Sequence, residues 1–75
     1  MSIERIKRVT KHIHEGRFVG DVDIDLHYKG GEWDPTIALP DVEKIDRVRR
    51  ALRQGDVVSA VKEAKVFELL PLAGE

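Results

Sequence analysis

Between Gly20 and Tyr28 the chain alternates without a break. Val22, Ile24, Leu26 and Tyr28 take turns with Asp21, Asp23, Asp25 and His27. A period of two places the apolar set on one face and predicts a half-buried strand. Upstream, Ile6 to His14 is rich in β-branched residues and ends at Glu15-Gly16. A Gly-containing turn between two such runs predicts a hairpin. Ile3, Ile6, Val9 and Ile13 also fit a loose helical spacing, so residues 3–14 can be read as strand or helix.

The pairing of the two runs can be tested by chemical sense. A two-residue loop at Glu15-Gly16 sets His14 opposite Arg17, Val9 opposite Val22 and Ile13 opposite Phe18. On the other face Arg8 then meets Asp23, and Thr10 meets Asp21. A slip of one residue would set Val9 against Asp23, so this register is the expectation.

Downstream, Lys29-Gly30-Gly31 predicts a turn, and Glu32 to Leu39 an edge or irregular strand anchored by Trp33 and Ile37. Pro35 cannot donate to a ladder and excludes a central position. Pro40 suits the first turn of a helix. Val42, Ile45, Val48, Ala51 and Leu52 follow at helical spacing. Asp41 and Glu43 lie near the positive end of that helix, and Arg49, Arg50 and Arg53 near its negative end. Gly55 supplies a stop, and Asp56 caps a second helix from Val57 to about Lys65. Val66 to Leu70, ended by Pro71, predicts a last strand with apolar groups on both faces. Such a strand is central, or is covered by another chain.

The expected fold is therefore an α+β domain of order β-β-β-α-α-β, an antiparallel meander with an αα-hairpin packed on one face. Its expected core is Val22, Ile24, Leu26, Ile45, Val48, Leu52, Val61, Phe67 and Leu69. At 75 residues the chain is expected to form one domain, spanning 1–75. It has no cysteine, so disulfides contribute nothing. A chain this short buries a modest share of its surface, and tight packing, a metal or a partner must make up the difference. The charged start Met-Ser-Ile-Glu-Arg-Ile-Lys-Arg has no apolar core, and no apolar run approaches the roughly 18 residues that span a bilayer. A soluble cytoplasmic protein with no membrane contact is expected.

Net charge is −1, which argues against bulk electrostatic capture of nucleic acid. The distribution is uneven. Residues 20–46 carry eight acids against two bases, and residues 47–53 carry four arginines and no acid. Arg47 follows Glu43 by four residues and Arg50 follows Asp46 by four, the favourable acid-first order on a helix. Arg49 and Arg53 lack intrahelical partners and are expected to be the freer two. The cluster can serve as a structural face or as a contact for phosphate or an acidic partner.

No set of residues predicts catalysis. Ser2, Ser59, Thr10 and Thr36 have no base at a fixed reach, and no Gly-rich loop precedes a helix. His12-x-His14 puts two imidazoles on one strand face, with Asp21 as a diagonal neighbour of His12. A three-ligand metal site can be drawn there, although strong zinc signatures use cysteines or helical histidine pairs. The stripe Asp21, Asp23, Asp25 can serve a cation or a basic partner, or be a solvated face paired with Arg8 and the first strand's lysines, and the solvated face is the expectation. Ala51 and Gly55 have the separation found in a helix-turn-helix, but Arg50, Gln54 and Asp56 fall where such helices need apolar packing. Trp33 is the sole tryptophan, and on an edge strand it can be an interface anchor.

The segment Ile45-Asp46-Arg47-Val48-Arg49-Arg50-Ala51-Leu52-Arg53-Gln54-Gly55-Asp56, continued by Ala60, Ala64 and Val66-Phe67-Glu68-Leu69-Leu70-Pro71, resembles short uncharacterised bacterial proteins of antitoxin-like type. The resemblance covers the C-terminal half, with a Trp-containing segment before it, and carries over no activity and no functional residues. The strand order also resembles the HicB antitoxin family, whose small domains place strands before a helix. That family's Pro-Asp-Leu-Pro-Gly-Cys-like signature is absent, and Leu39-Pro40-Asp41 runs straight into the helix. The functional expectation is a protein-interaction module without catalysis or cofactor. Its partner would be another protein or a second copy, met through Trp33, Arg49, Arg50 and Arg53. The alternative is nucleic-acid binding through the arginine-rich first helix.

Overall fold

A computed structural model of the chain describes residues 4–30 and 34–72. The elements run β1 (Arg5–Glu15), β2 (Phe18–Tyr28), β3 (Thr36–Ile37), α1 (Leu39–Arg53), α2 (Val57–Ala60) and β4 (Lys65–Glu68). All four strands form one antiparallel sheet centred on β2. β1 covers one edge of β2, while β3 and β4 share the other edge, one at each end. The helices lie on one face. This is the expected α+β order, with residues 5–15 settled as strand.

The hairpin register differs from the sequence expectation by two residues. Val9 faces Ile24, Thr10 faces Asp23, Arg8 faces Asp25, and the closing pair is Glu15 with Phe18. The loop is therefore Gly16-Arg17 rather than Glu15-Gly16. Tight hairpin turns require a positive φ at their first central residue. Gly16 takes that position at φ 60, where Glu15 would have been strained. A shift of two preserves which face each side chain occupies, so the apolar and polar sets stay where alternation put them.

The core is Ile13, Val22, Ile24, Val48, Ala51, Leu52 and Ala60, with Val9, Phe18, Leu26, Ile45, Ala64 and Val66 packed against it. α1 crosses β2 at Gly20. A Cβ there would lie 3.0 Å from Val48 Cγ1 and 3.1 Å from Leu52 Cδ1, so a larger residue would have to push both side chains back by a few tenths of an ångström. α1 ends with Asp56 N–H on the Ala51 carbonyl at 2.7 Å and Gly55 N–H on the Leu52 carbonyl at 3.0 Å, the double bond of a Schellman motif. Asp56 then caps α2 as expected, accepting from Ser59 N–H at 3.1 Å.

Several elements are shorter or turned relative to expectation. α2 stops at Ala60 rather than near Lys65. Three-residue bonds from Lys62 N–H to Ser59 O and from Glu63 N–H to Ala60 O tighten the chain before it enters β4. β3 is reduced to Thr36–Ile37. Trp33 and Glu32 lie outside the described residues. β4 is an edge strand with respect to β2, not a central one. Its register sets Phe67 beside Val19 and Lys65 beside Asp21, on the face away from the helices. Phe67 and Leu69 thereby leave the expected core, as does Val61, and all three are exposed.

Candidate interaction surfaces

The face of the sheet away from the helices is a ladder of cross-strand polar pairs. Arg8 Nε donates to Asp25 at 3.1 Å, Thr10 Oγ1 to Asp23 at 2.9 Å and His12 Nδ1 to Asp21 at 2.6 Å. The guanidinium of Arg8 holds the Asp25 carboxyl below its ordinary range, mainly through this hydrogen bond. Each aspartate of the stripe thus has a β1 partner, supplied by the observed register. His12 and Asp21 are direct partners rather than diagonal ones. His14 Nε2 donates to the Gly16 carbonyl at 2.8 Å. Among the described residues no group of three histidines, cysteines or carboxylates is placed to hold a metal ion.

The four arginines of α1 fare differently from their sequence reading. Arg49 and Arg53, expected to be the freer pair, both reach Glu15 at the end of β1, at 3.6 and 3.2 Å. The Arg53 hydrogen bond lowers the Glu15 pKa, with smaller contributions in the same direction from Arg53 and Arg49 charge. Arg47, expected to pair with Glu43, forms a two-pronged bond with Glu63, with contacts of 2.6 to 3.1 Å. The Glu63 carboxyl is lowered as a result. Arg50, expected to pair with Asp46, has no carboxylate within ion-pair distance among the described residues. It lines a shallow groove between the helices with Gln54, Ser59 and Lys62. Helical spacing shows partners four residues away and is blind to a carboxylate 38 residues distant in sequence, so the order of freedom could not be read beforehand.

The long edges of the sheet carry features that residue patterns did not single out. Asp25 N–H donates to Asp41 Oδ2 at 2.9 Å, and Lys44 Nζ donates to the Asp23 carbonyl at 2.9 Å. Both groups lie in the stretch of β2 between the end of β4 and the start of β3. Two α1 side chains thus occupy the place of a missing strand. Because Asp23 and Asp25 aim their backbone away from β1, the even residues of β2 must pair with the odd residues of β1. Ile6, Arg8, Thr10, His12 and His14 therefore direct their N–H and C=O groups outward, along an edge that no described strand covers.

At the far end of the sheet Phe67, Leu69, Leu70 and Leu72 are exposed, together with Val58 and Val61. Phe67 is 46 % exposed and Leu70 76 %. The chain is also flat and long, with Cα extents of 58 × 27 × 14 Å and a radius of gyration of 15.6 Å, where roughly 11 Å is usual for a compact chain of this length. It exposes 5934 Å², against roughly 4,700 Å² for a compact monomer of its mass. No described helix is long and apolar enough to cross a membrane.

The class so defined is a small α+β domain, a four-stranded antiparallel sheet carrying a helical pair on one face, with polar pairs on the other face. In comparison with known proteins, no family model, no curated protein and no solved structure matches this chain.

Proposed function

We propose that this chain is a small protein-interaction module, working as a regulatory or antitoxin-like partner rather than as a catalyst. The observation that carries the reading is the apolar end of the sheet, where Phe67, Leu69, Leu70 and Leu72 stand in solvent beyond a core of seven buried side chains. Four large apolar side chains exposed within six residues mark a stretch suited to meeting another protein. The carboxylates on Arg47, Arg49 and Arg53 count against phosphate capture by the arginine-rich helix, since a phosphate would have to displace them.

The test compares the wild-type chain with Phe67→Ser/Leu70→Ser. Sedimentation velocity at tens of micromolar should show a wild-type species of at least twice the monomer mass, or a captured protein from the source extract, that the double variant loses. Circular dichroism should be unchanged. A wild-type monomer that captures the same proteins as the variant overturns the reading.

A further inference from the structure

We propose that the free edge of β1 binds an acidic, extended peptide segment as an added strand. The inference rests on the reading of the chain as a protein-interaction module and names the partner chemistry for a second surface. Its first support is the backbone. Ile6, Arg8, Thr10, His12 and His14 present five N–H and five C=O groups along one edge, the template on which a peptide strand pairs. The opposite edge shows that this chain covers such groups when they are to be closed, through β3, β4, Asp41 and Lys44.

The second support is charge. From Arg5 to His14 the strand carries Arg5, Lys7, Arg8 and Lys11 and no carboxylate. Arg8 is held by Asp25, and Arg5 lies over the Tyr28 ring. Lys7 and Lys11 have no carboxylate within ion-pair distance among the described residues. A second copy of β1 would bring like charges together, whereas acidic side chains would meet their complement.

The third support is the pattern that this geometry selects. Lys7, Val9 and Lys11 share the helix-side face of β1, with half-buried Val9 between the two lysines. Helical periodicity puts Val42, 40 % exposed, on the same flank of α1 as Arg49, which reaches β1 through Glu15. Asp41 pins the start of α1 to Asp25, the register partner of Arg8, which adjoins Val9 in β1. An added strand therefore meets cation, apolar and cation at alternate positions. The segment that fits reads acid-x-apolar-x-acid, laid antiparallel to β1 so that its x residues pair with Arg8 and Thr10.

The test uses a fluorescent peptide containing Glu-Thr-Val-Thr-Glu, its Lys-for-Glu counterpart, a version with proline at both threonines, and a single-stranded DNA oligonucleotide. The acidic peptide should bind at micromolar concentration and weaken at least tenfold between 50 and 500 mM salt. The lysine and proline versions should fail. On binding, the amides of Ile6, Arg8, Thr10, His12 and His14 should become protected from hydrogen exchange. Lys7→Glu/Lys11→Glu, folded by circular dichroism, should lose at least tenfold in affinity, while Phe67→Ser/Leu70→Ser should bind as wild type. Absence of binding would mean that the lysines only guard the edge against aggregation, and it overturns the proposal. Equal binding of the proline version, or tighter oligonucleotide binding with the same amides protected, also overturns it. If Phe67-dependent association survives either result, the module reading stands and only the β1 assignment falls.

Discussion

The two long edges of this sheet are finished in opposite ways. Along β2 the chain closes its own edge with two short strands, and it fills the gap between them with Asp41 and Lys44 from α1. Along β1 it leaves the outer edge of an eleven-residue strand uncovered by any described strand and dresses it with cations. A sheet edge is a liability wherever strands can add to it, and charge is one way to select what may add. The closed edge depends on the helix layer, because a side chain can stand in for a strand only if its helix is held at the right height. The open edge depends on the turn, because Gly16 fixes which β1 residues face outward.

The largest effect should come from loosening the helix. Leu52 is buried against Gly20, and Leu52→Ala should cost about 2–5 kcal/mol in urea unfolding. Whatever folded population remains should lose hydrogen-exchange protection at the Asp25 amide along with its core. A change confined to the open edge would break the link drawn here between α1 and the closed one.

A smaller change isolates the patch itself. Asp41→Ala removes the acceptor for Asp25 N–H and should cost about 1 kcal/mol. Exchange at the Asp25 amide should rise, while the amides of Arg8, Thr10 and His12, already open to solvent, should stay as they were. Equal exchange at both edges in the wild-type chain would remove the distinction.

The smallest effect concerns the ion pairs that tie α1 to its neighbours. Glu15, Asp25 and Glu63 all have their carboxyl pKa lowered, in each case chiefly by an arginine hydrogen bond. A carboxyl held lower in the folded state than in the unfolded one adds stability above its ordinary range, and that contribution is lost as pH falls through the folded value. Thermal midpoints should therefore be flat near neutrality and fall below about pH 4.5. Glu15→Gln should flatten part of that fall, and because the pairs are exposed the change should be small. A midpoint that rises on acidification would contradict these pairings.

Much of the fold was legible in short stretches. The alternation from Gly20 to Tyr28, the helical spacing from Val42 to Leu52 and the Gly55-Asp56 junction each carry their reason within a few residues. Candidate surfaces were less legible. Arg49 and Arg53 looked free because their partner, Glu15, lies on another element. Phe67 looked like core because Val66-Phe67-Glu68-Leu69-Leu70 offers apolar groups to both faces, and only pairing with Val19 decides which face it takes. Lys7 and Lys11 were expected to pair with the aspartate stripe, but the stripe is met by Arg8, Thr10 and His12, and alternation sets the two lysines on the opposite face, beside an edge that only the pairing shows to be open.

By itself the sequence determined the order of the elements and, with residues 5–15 taken as a strand, the face of each side chain within the hairpin, since periods of 2 and 3.6 are properties of the local backbone. Even the two-residue error in register left those faces unchanged. Tertiary structure alone decided which arginine of α1 lacks a carboxylate partner among the described residues, which apolar residues stand in solvent, and which edge of the sheet is closed. Those outcomes depend on where distant segments meet. Here they turned on the positive φ of Gly16, the close crossing of α1 over Gly20, and two α1 side chains that reach the backbone of β2.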